Sequence, residues 1–318
     1  MKGLVRQLWQ RLRVGKQRLL QRQAESKAEQ VLGRIRSGAH DESLIAEVAR
    51  LNVAERWALL SRLVRDTSIK VLYFLHIPKT GGTTLTAAMA TDPRFQAVSM
   101  DGAAQSFVQQ LQGFANSDSD GVLFLRAHHG LAYALESAIL DLAGVSFTTI
   151  RHPREIHASN VNMIVRRIAA LKQQQLHSSE EVDQARYWLE VMGGYGDHPA
   201  QFALDILATA AYRREMGGVY ATMFNVPQWR QLIRQKQLLC IDKDDLDRLS
   251  SEAFGYVQVP VRKNVSVDGP LNGADIPDRI IKPLLAGDER IFDFLDTHRS
   301  SVSDFSSALR HLLKGAAA

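Results

Sequence analysis

The feature that most constrains this chain is an alternation of short apolar runs, rich in β-branched and aromatic residues, with stretches of helical length. The runs are VLYFLH (71–76), VLFLRA (122–127), SFTTIR (146–151) and LLCID (238–242), and the stretches between them include 83–90, 132–143, 155–174 and 243–253. Strands that are apolar throughout and separated by helices predict a parallel sheet covered on both faces, an α/β fold. Residues 1–66 precede this pattern and are predicted to form a helical extension: a helix over 1–36, a hinge at Ser37-Gly38 and His40, then a second helical region over 42–66. Residues 67–318 form the α/β domain, with an insertion over about 165–237. Its polar, glycine-bearing part, 175–200, reads as an insertion or lid.

Charge is unevenly placed along the 318 residues. The chain has a net charge of +5, yet residues 1–36 hold ten Lys/Arg against Glu25 and Glu29, which makes that arm +8 and the remainder −3. Leu4, Val5, Leu8, Trp9, Leu12, Leu19 and Leu20 fall on one side at helical spacing. Two readings of the arm stand side by side. It packs on the body or on a second copy of itself, or it lies on an anionic membrane surface with Trp9 at the interface. Nucleic acid ranks below both, because no stacking aromatics are interleaved with the charges. No stretch approaches the roughly 20 apolar residues that cross a bilayer, and Arg6, Arg11 and Arg13 interrupt any secretory signal. The single cysteine, Cys240, permits neither an internal disulfide nor a cysteine metal cluster and reads as a small buried hydrophobe. The expected location is the cytoplasm, peripheral on the inner membrane surface under the second reading of the arm.

The chemistry is concentrated where the first run breaks, in HIPKTGGTTL (76–85). A strand that ends in a glycine turn and leads into a helix makes an anion site, since free N–H groups and the helix dipole face the ligand. Lys79 adds a point charge, Gly81 and Gly82 let the backbone approach, and Thr83 and Thr84 add hydroxyl donors, as Thr80 does before them. The nucleoside-triphosphatase loop, GxxxxGK[ST], has another order. Here the lysine precedes the glycines, and no GK[ST] triplet or obvious magnesium carboxylate follows a strand.

This decapeptide resembles the 5′-phosphosulfate loop of the carbohydrate sulfotransferases, whose usual form is HIPKTAGTTL and whose donor is 3′-phosphoadenosine-5′-phosphosulfate (PAPS). FTTIRHPREIHASNV (147–161) is similar to that family's R-[DH]-P-x-E-R-x-x-S segment, with Ile156 in place of its arginine. The resemblance implies that Arg151 and Ser159 bind the 3′-phosphate, while Lys79 and residues Thr80 to Thr84 hold the 5′-phosphate and stabilise the leaving group. It continues through LLCIDKDDLDRLSSEAFGY (238–256), VRKNVSV (261–267) and IIKPLLAGDERIFDFL (280–295). From the second of these it places Arg262, Lys263 and Asn264 in a loop over the nucleotide. The implied fold is a P-loop-like parallel sheet flanked by helices.

The implied activity is in-line transfer of a sulfuryl group to a hydroxyl of a carbohydrate or glycan-like acceptor, with no metal required. RAHHGLAY (126–133) resembles the family's G-H-x-x-[FY] element, in which a histidine is the general base, with Ala127 in place of glycine. Both His128 and His129 are candidates; strand alternation would direct them to opposite faces, with His128 the favoured one. His152 reads as a structural variant of the family's aspartate. Arg166, Arg167, Lys172, Tyr187, Trp188, Arg213 and Arg214 are the acceptor-side candidates. Two other classes compete with this reading: a nucleotide-dependent kinase or NTPase, and a membrane-surface interaction protein that has lost the chemistry.

Overall fold

The computed structural model describes residues 26–38, 42–67, 69–115, 121–176, 178–255, 269–285 and 287–314. Most of the basic arm, Leu4 to Leu20 included, lies outside the described residues, as do His40, Arg262, Lys263, Asn264 and the last four residues. The architecture is α/β. Five strands, β1 (Lys70–Leu75), β2 (Phe95–Ser99), β3 (Val122–Ala127), β4 (Ala143–Ile150) and β5 (Leu239–Asp242), form one all-parallel sheet in the order β2-β3-β1-β4-β5, flanked by helices. Phe95 pairs with Val122 and Val98 with Leu125, while Phe147 pairs with Leu239 and Ile150 with Asp242. From Val71 on, every residue of β1 is buried, as expected of a central parallel strand covered on both faces.

The helical region expected over 42–66 is two helices, Glu42–Ala49 and Val53–Thr67. Asn52 separates them: its side-chain oxygen accepts from the Glu55 N–H, and its own N–H donates to Glu55, a reciprocal N-terminal cap. The stretch 175–200 also departs from its sequence reading, because Ser179–Met192 is a helix. Ser178 caps it by accepting from the Glu181 N–H, and Gly193 ends it in the left-handed conformation.

By contact density the chain divides into two compact units. The first comprises the chain up to Phe74, Asp92–Ser146 and the residues from His311 on. In it the helix at 26–36 buries Ala28, Val31, Leu32 and Ile35, an i, i+3, i+4, i+7 stripe. The described end of the arm is thus core-packed, and Lys27 and Arg34 pair with Glu55 and Glu47. Trp57 lies edge-on to Tyr73, and Phe74 stacks on Phe124.

The second unit comprises Leu75–Thr91 and Phe147–Arg310. One cluster gathers Val161, Ile164, Ile168, Trp188, Ile206, Tyr212 and Leu284. Against β4, Phe147 meets Phe305 edge-on with ring centroids 4.8 Å apart. Cys240 is fully buried and burial pushes its thiol pKa up, which fits the expectation of a small hydrophobe. Phe147→Ala should lower stability by roughly 3–5 kcal/mol, the usual cost of emptying a buried phenylalanine site. Urea unfolding followed by fluorescence measures this, and a loss under 1 kcal/mol would contradict the packing described.

Candidate functional site

In the second unit, β1 ends at Leu75 and the helix Gly82–Thr91 begins seven residues later. Two features show why the intervening loop has its sequence. Lys79 sits at φ 66° and Gly81 at φ 88°, so the chain makes two left-handed turns in three residues. A non-glycine residue there costs about 1–3 kcal/mol and occurs where surrounding structure enforces it. A Cβ on Gly82 would lie 2.2 Å from the buried His76 ring, so only glycine lets the helix start this close to the strand end. As first residues of that helix, Gly82 and Thr83 have N–H groups with no intrahelical acceptor.

The threonines differ in role. Thr80 is fully buried; its hydroxyl donates to the Ile77 carbonyl at 2.8 Å and shares a 2.7 Å hydrogen bond with Thr149 on β4. It braces the loop from below. Thr83 is exposed and Thr84 half-buried at the helix start.

Lys79 is half-buried, and its Nζ donates to the Met163 sulfur at 3.2 Å. Burial, then the Arg166, Arg167 and Arg151 guanidiniums, pull its pKa down to about 8. Arg151 follows β4 directly. Its Nη1 donates to the Lys79 carbonyl at 3.3 Å and Nη2 to Glu155 at 3.3 Å, while its buried Nε has no acceptor. The structure therefore brings Lys79, Thr80 and Arg151 together, with an unsatisfied guanidinium N–H among them. Ser159 is buried two turns into the helix Pro153–Lys172, whose N-cap is His152. The His152 ring accepts from the Arg154 N–H and lies edge-on to Phe292, in keeping with a structural role.

Sequence reasoning missed what fixes Arg151. The Tyr220 hydroxyl donates to the Arg151 carbonyl at 2.6 Å and accepts its N–H at 2.9 Å, which clamps both backbone groups. Tyr220 belongs to the short helix Val219–Met223, where Asp288 Oδ1 accepts from the Ala221 N–H at 2.9 Å while its buried Oδ2 has no hydrogen-bond partner among the described residues. Burial outweighs the backbone N–H groups beside it and raises the Asp288 pKa to about 6. These partners are 69 residues and more away in sequence, and no motif marks them.

Of the acceptor-side candidates, Trp188 is core, packed against Tyr212. Arg167 bonds Gln184 and Glu181, and Lys172 lies over the Tyr195 ring. The Glu215 carboxylate beside Tyr187 raises its pKa, partly opposed by Arg214.

In the first unit, β3 ends at Ala127, so strand alternation does not govern the two histidines that follow. Asp101, which sequence reasoning also missed, organises them. Its two oxygens accept the His128 N–H at 3.1 Å each, and it lies 3.8 Å from His129 Nε2. The Trp57 indole, a donor only, donates to His129 Nδ1 at 3.2 Å, which places the neutral ring's proton on Nε2. Burial, partly opposed by Asp101, lowers the His129 pKa. His128 Nε2 is 2.7 Å from Arg126 Nη2, which must be the donor, so Nε2 carries the lone pair. Among the described residues, no group of three or more His, Cys, Asp or Glu side chains is arranged to hold a metal, and no helix is long and apolar enough to cross a membrane.

No protein-family model matches the chain, and no curated protein or solved structure is significantly similar to it.

Because Lys79 titrates near 8 when folded against its ordinary 10.5, the fold carries a penalty for the charged form of about 3 kcal/mol below pH 8. That penalty is relieved as pH rises from 8 toward 10.5, since the unfolded chain then holds the extra proton. Lys79→Met should therefore be more stable than the native chain by about 1–3 kcal/mol at pH 7 without ligand, with the gap closing above pH 8. Urea titrations at several pH values test this, and a variant less stable at pH 7 would contradict it.

Proposed function

We propose that this protein is a PAPS-dependent sulfotransferase acting on a hydroxyl of a carbohydrate or glycan-like acceptor. The observation that carries the reading is the Lys79–Arg151 pairing: a strained lysine loop at the end of β1, bonded to the arginine that follows β4, with a buried guanidinium N–H lacking an acceptor. A lysine whose protonation is depressed by burial and by neighbouring guanidiniums suits a multiply charged anion, and a nucleotide with separate 3′- and 5′-phosphates supplies one. When bound, the donor supplies a sulfuryl group on a phosphate leaving group.

The residues divide the work as follows. Lys79 and the Gly82 and Thr83 N–H groups take the 5′-phosphate and the charge that grows on its bridging oxygen. Arg151 and Ser159 take the 3′-phosphate. Thr80 and Tyr220 position these groups through the loop and the Arg151 backbone. The general base is His128. Its Nε2 lone pair faces the half-buried Arg126 side chain, whereas the partner of His129 Nδ1 is the core residue Trp57. His129 holds Trp57 and Asp101 in place. Glycan acceptors with acidic groups fit the Arg166 and Lys172 side of the unit.

Thermal unfolding with 3′-phosphoadenosine-5′-phosphate tests the donor site, because a ligand that binds the folded state at a hundredfold over Kd stabilises it by about 2.7 kcal/mol. The bisphosphate should raise Tm, Lys79→Ala and Arg151→Ala should abolish the rise, and ATP with magnesium should give none. Turnover of PAPS with a glycan mixture should fall at least a hundredfold in His128→Gln. A response to ATP with magnesium and none to the bisphosphate would replace this reading with a kinase.

A further inference from the structure

The first unit contains a groove of about 780 Å³ between the C-terminal ends of the helices Val53–Thr67 and Val302–Lys314 and the N-terminal ends of β1 and β4. That volume falls in the range of small-molecule sites. Its floor is apolar: Val64, Leu142 and Leu312. Leu312 lies so close to the bare backbone of Gly144 that a Cβ there would come within 2.3 Å of its Cδ1. Its rim is cationic, formed by Arg65, Lys70 and Lys314 with His311 beside them, and no carboxylate lines it.

Charge pairing varies within the unit, where Arg56, for example, bonds a backbone carbonyl and, among the described residues, no carboxylate. Lys27, Arg34, Arg36 and Arg94 each pair with a carboxylate. Among the described residues Arg65, Lys70 and Lys314 pair with none, and Arg65 is held only by the Ser61 hydroxyl and carbonyl. Compensation of helix dipoles explains part of this, since Arg65, His311 and Lys314 occupy last turns. Each helix end is equivalent to roughly half a negative charge, so two ends offset about one of the three full cations. A positive excess remains over an apolar floor.

We propose that this groove binds a single-chain amphiphile with an anionic head group. The alkyl chain lies on Val64, Leu142 and Leu312, and the head group meets Arg65, Lys70 and Lys314. The groove is a site for one chain, not a bilayer-facing patch, because its apolar surface lies below the cations.

Calorimetric titration of the full chain with decyl and dodecyl phosphate, kept below micelle formation, is the test. Both should bind saturably at one per chain, with affinity rising about fourfold for each methylene added within the groove. Inorganic phosphate should not compete with dodecyl phosphate and neutral dodecyl maltoside should not bind, which separates the need for a chain from the need for a charge. Lys70→Glu/Lys314→Glu should weaken dodecyl phosphate at least tenfold, while Arg11→Glu/Arg13→Glu in the basic arm leaves it unchanged. Absence of dodecyl phosphate binding, binding indifferent to the groove variant, or binding lost only in the arm variant would overturn the proposal. Nucleotide binding is read separately, so this site and the donor site fail independently.

Discussion

The second unit depends on mutual repulsion held in check. Lys79, Arg151, Arg166 and Arg167 lie close enough for the guanidiniums to depress the lysine, and burial depresses it further. Such an arrangement opposes folding. At an effective dielectric near 20, two like charges 4 Å apart repel by about 4 kcal/mol, and the left-handed turn at Lys79 adds strain. What holds it is neutral and buried: the Thr80–Thr149 hydroxyl pair, the Tyr220 clamp on the Arg151 backbone, and the Phe147–Phe305 contact behind β4. The fold gathers Lys79 and Arg151 at the ends of two parallel strands at a cost in stability, and this is the physical basis of the sulfotransferase proposal.

The legible part of the fold was the part with a strong local signature. β1, β3 and β4 are central strands whose apolar, β-branched and aromatic residues mark them because both faces are covered, and β5, an edge strand paired only with β4, is marked by its apolar Leu-Cys-Ile run. β2, FQAVS, escaped notice because Gln96 interrupts the run and the strand sits at the edge, paired only with β3. Missing β2 also hid Asp101, which lies in the turn after it and organises both histidines. The helix at Ser179–Met192 was obscured by the glycines that follow it. Yet its Ser178-to-Glu181 spacing is a capping signal, and Gly193 marks its end.

The candidate site shows the same division. Lys79, Gly81 and Gly82 stood out because they follow one another in a single loop, and Arg151 because it directly follows a strand. Thr80 was readable as a member of the loop but not as its brace, since its partner Thr149 is on another strand. Tyr220, Asp288, Met163 and Trp57 act through contacts that only the fold creates. Trp57 matters most to the histidine pair, because its indole N–H occupies His129 Nδ1.

Phosphorus NMR of 3′-phosphoadenosine-5′-phosphate titrated with the protein tests the central claim most directly, because the two phosphates report separately. The account expects both resonances to shift with the native chain, the 5′ shift to be lost selectively in Lys79→Ala, and the 3′ shift to be lost selectively in Arg151→Ala. Resonances that stay at their free positions, or that move alike in both variants and the native chain, would show that the strained lysine loop and its arginine do not bind this nucleotide.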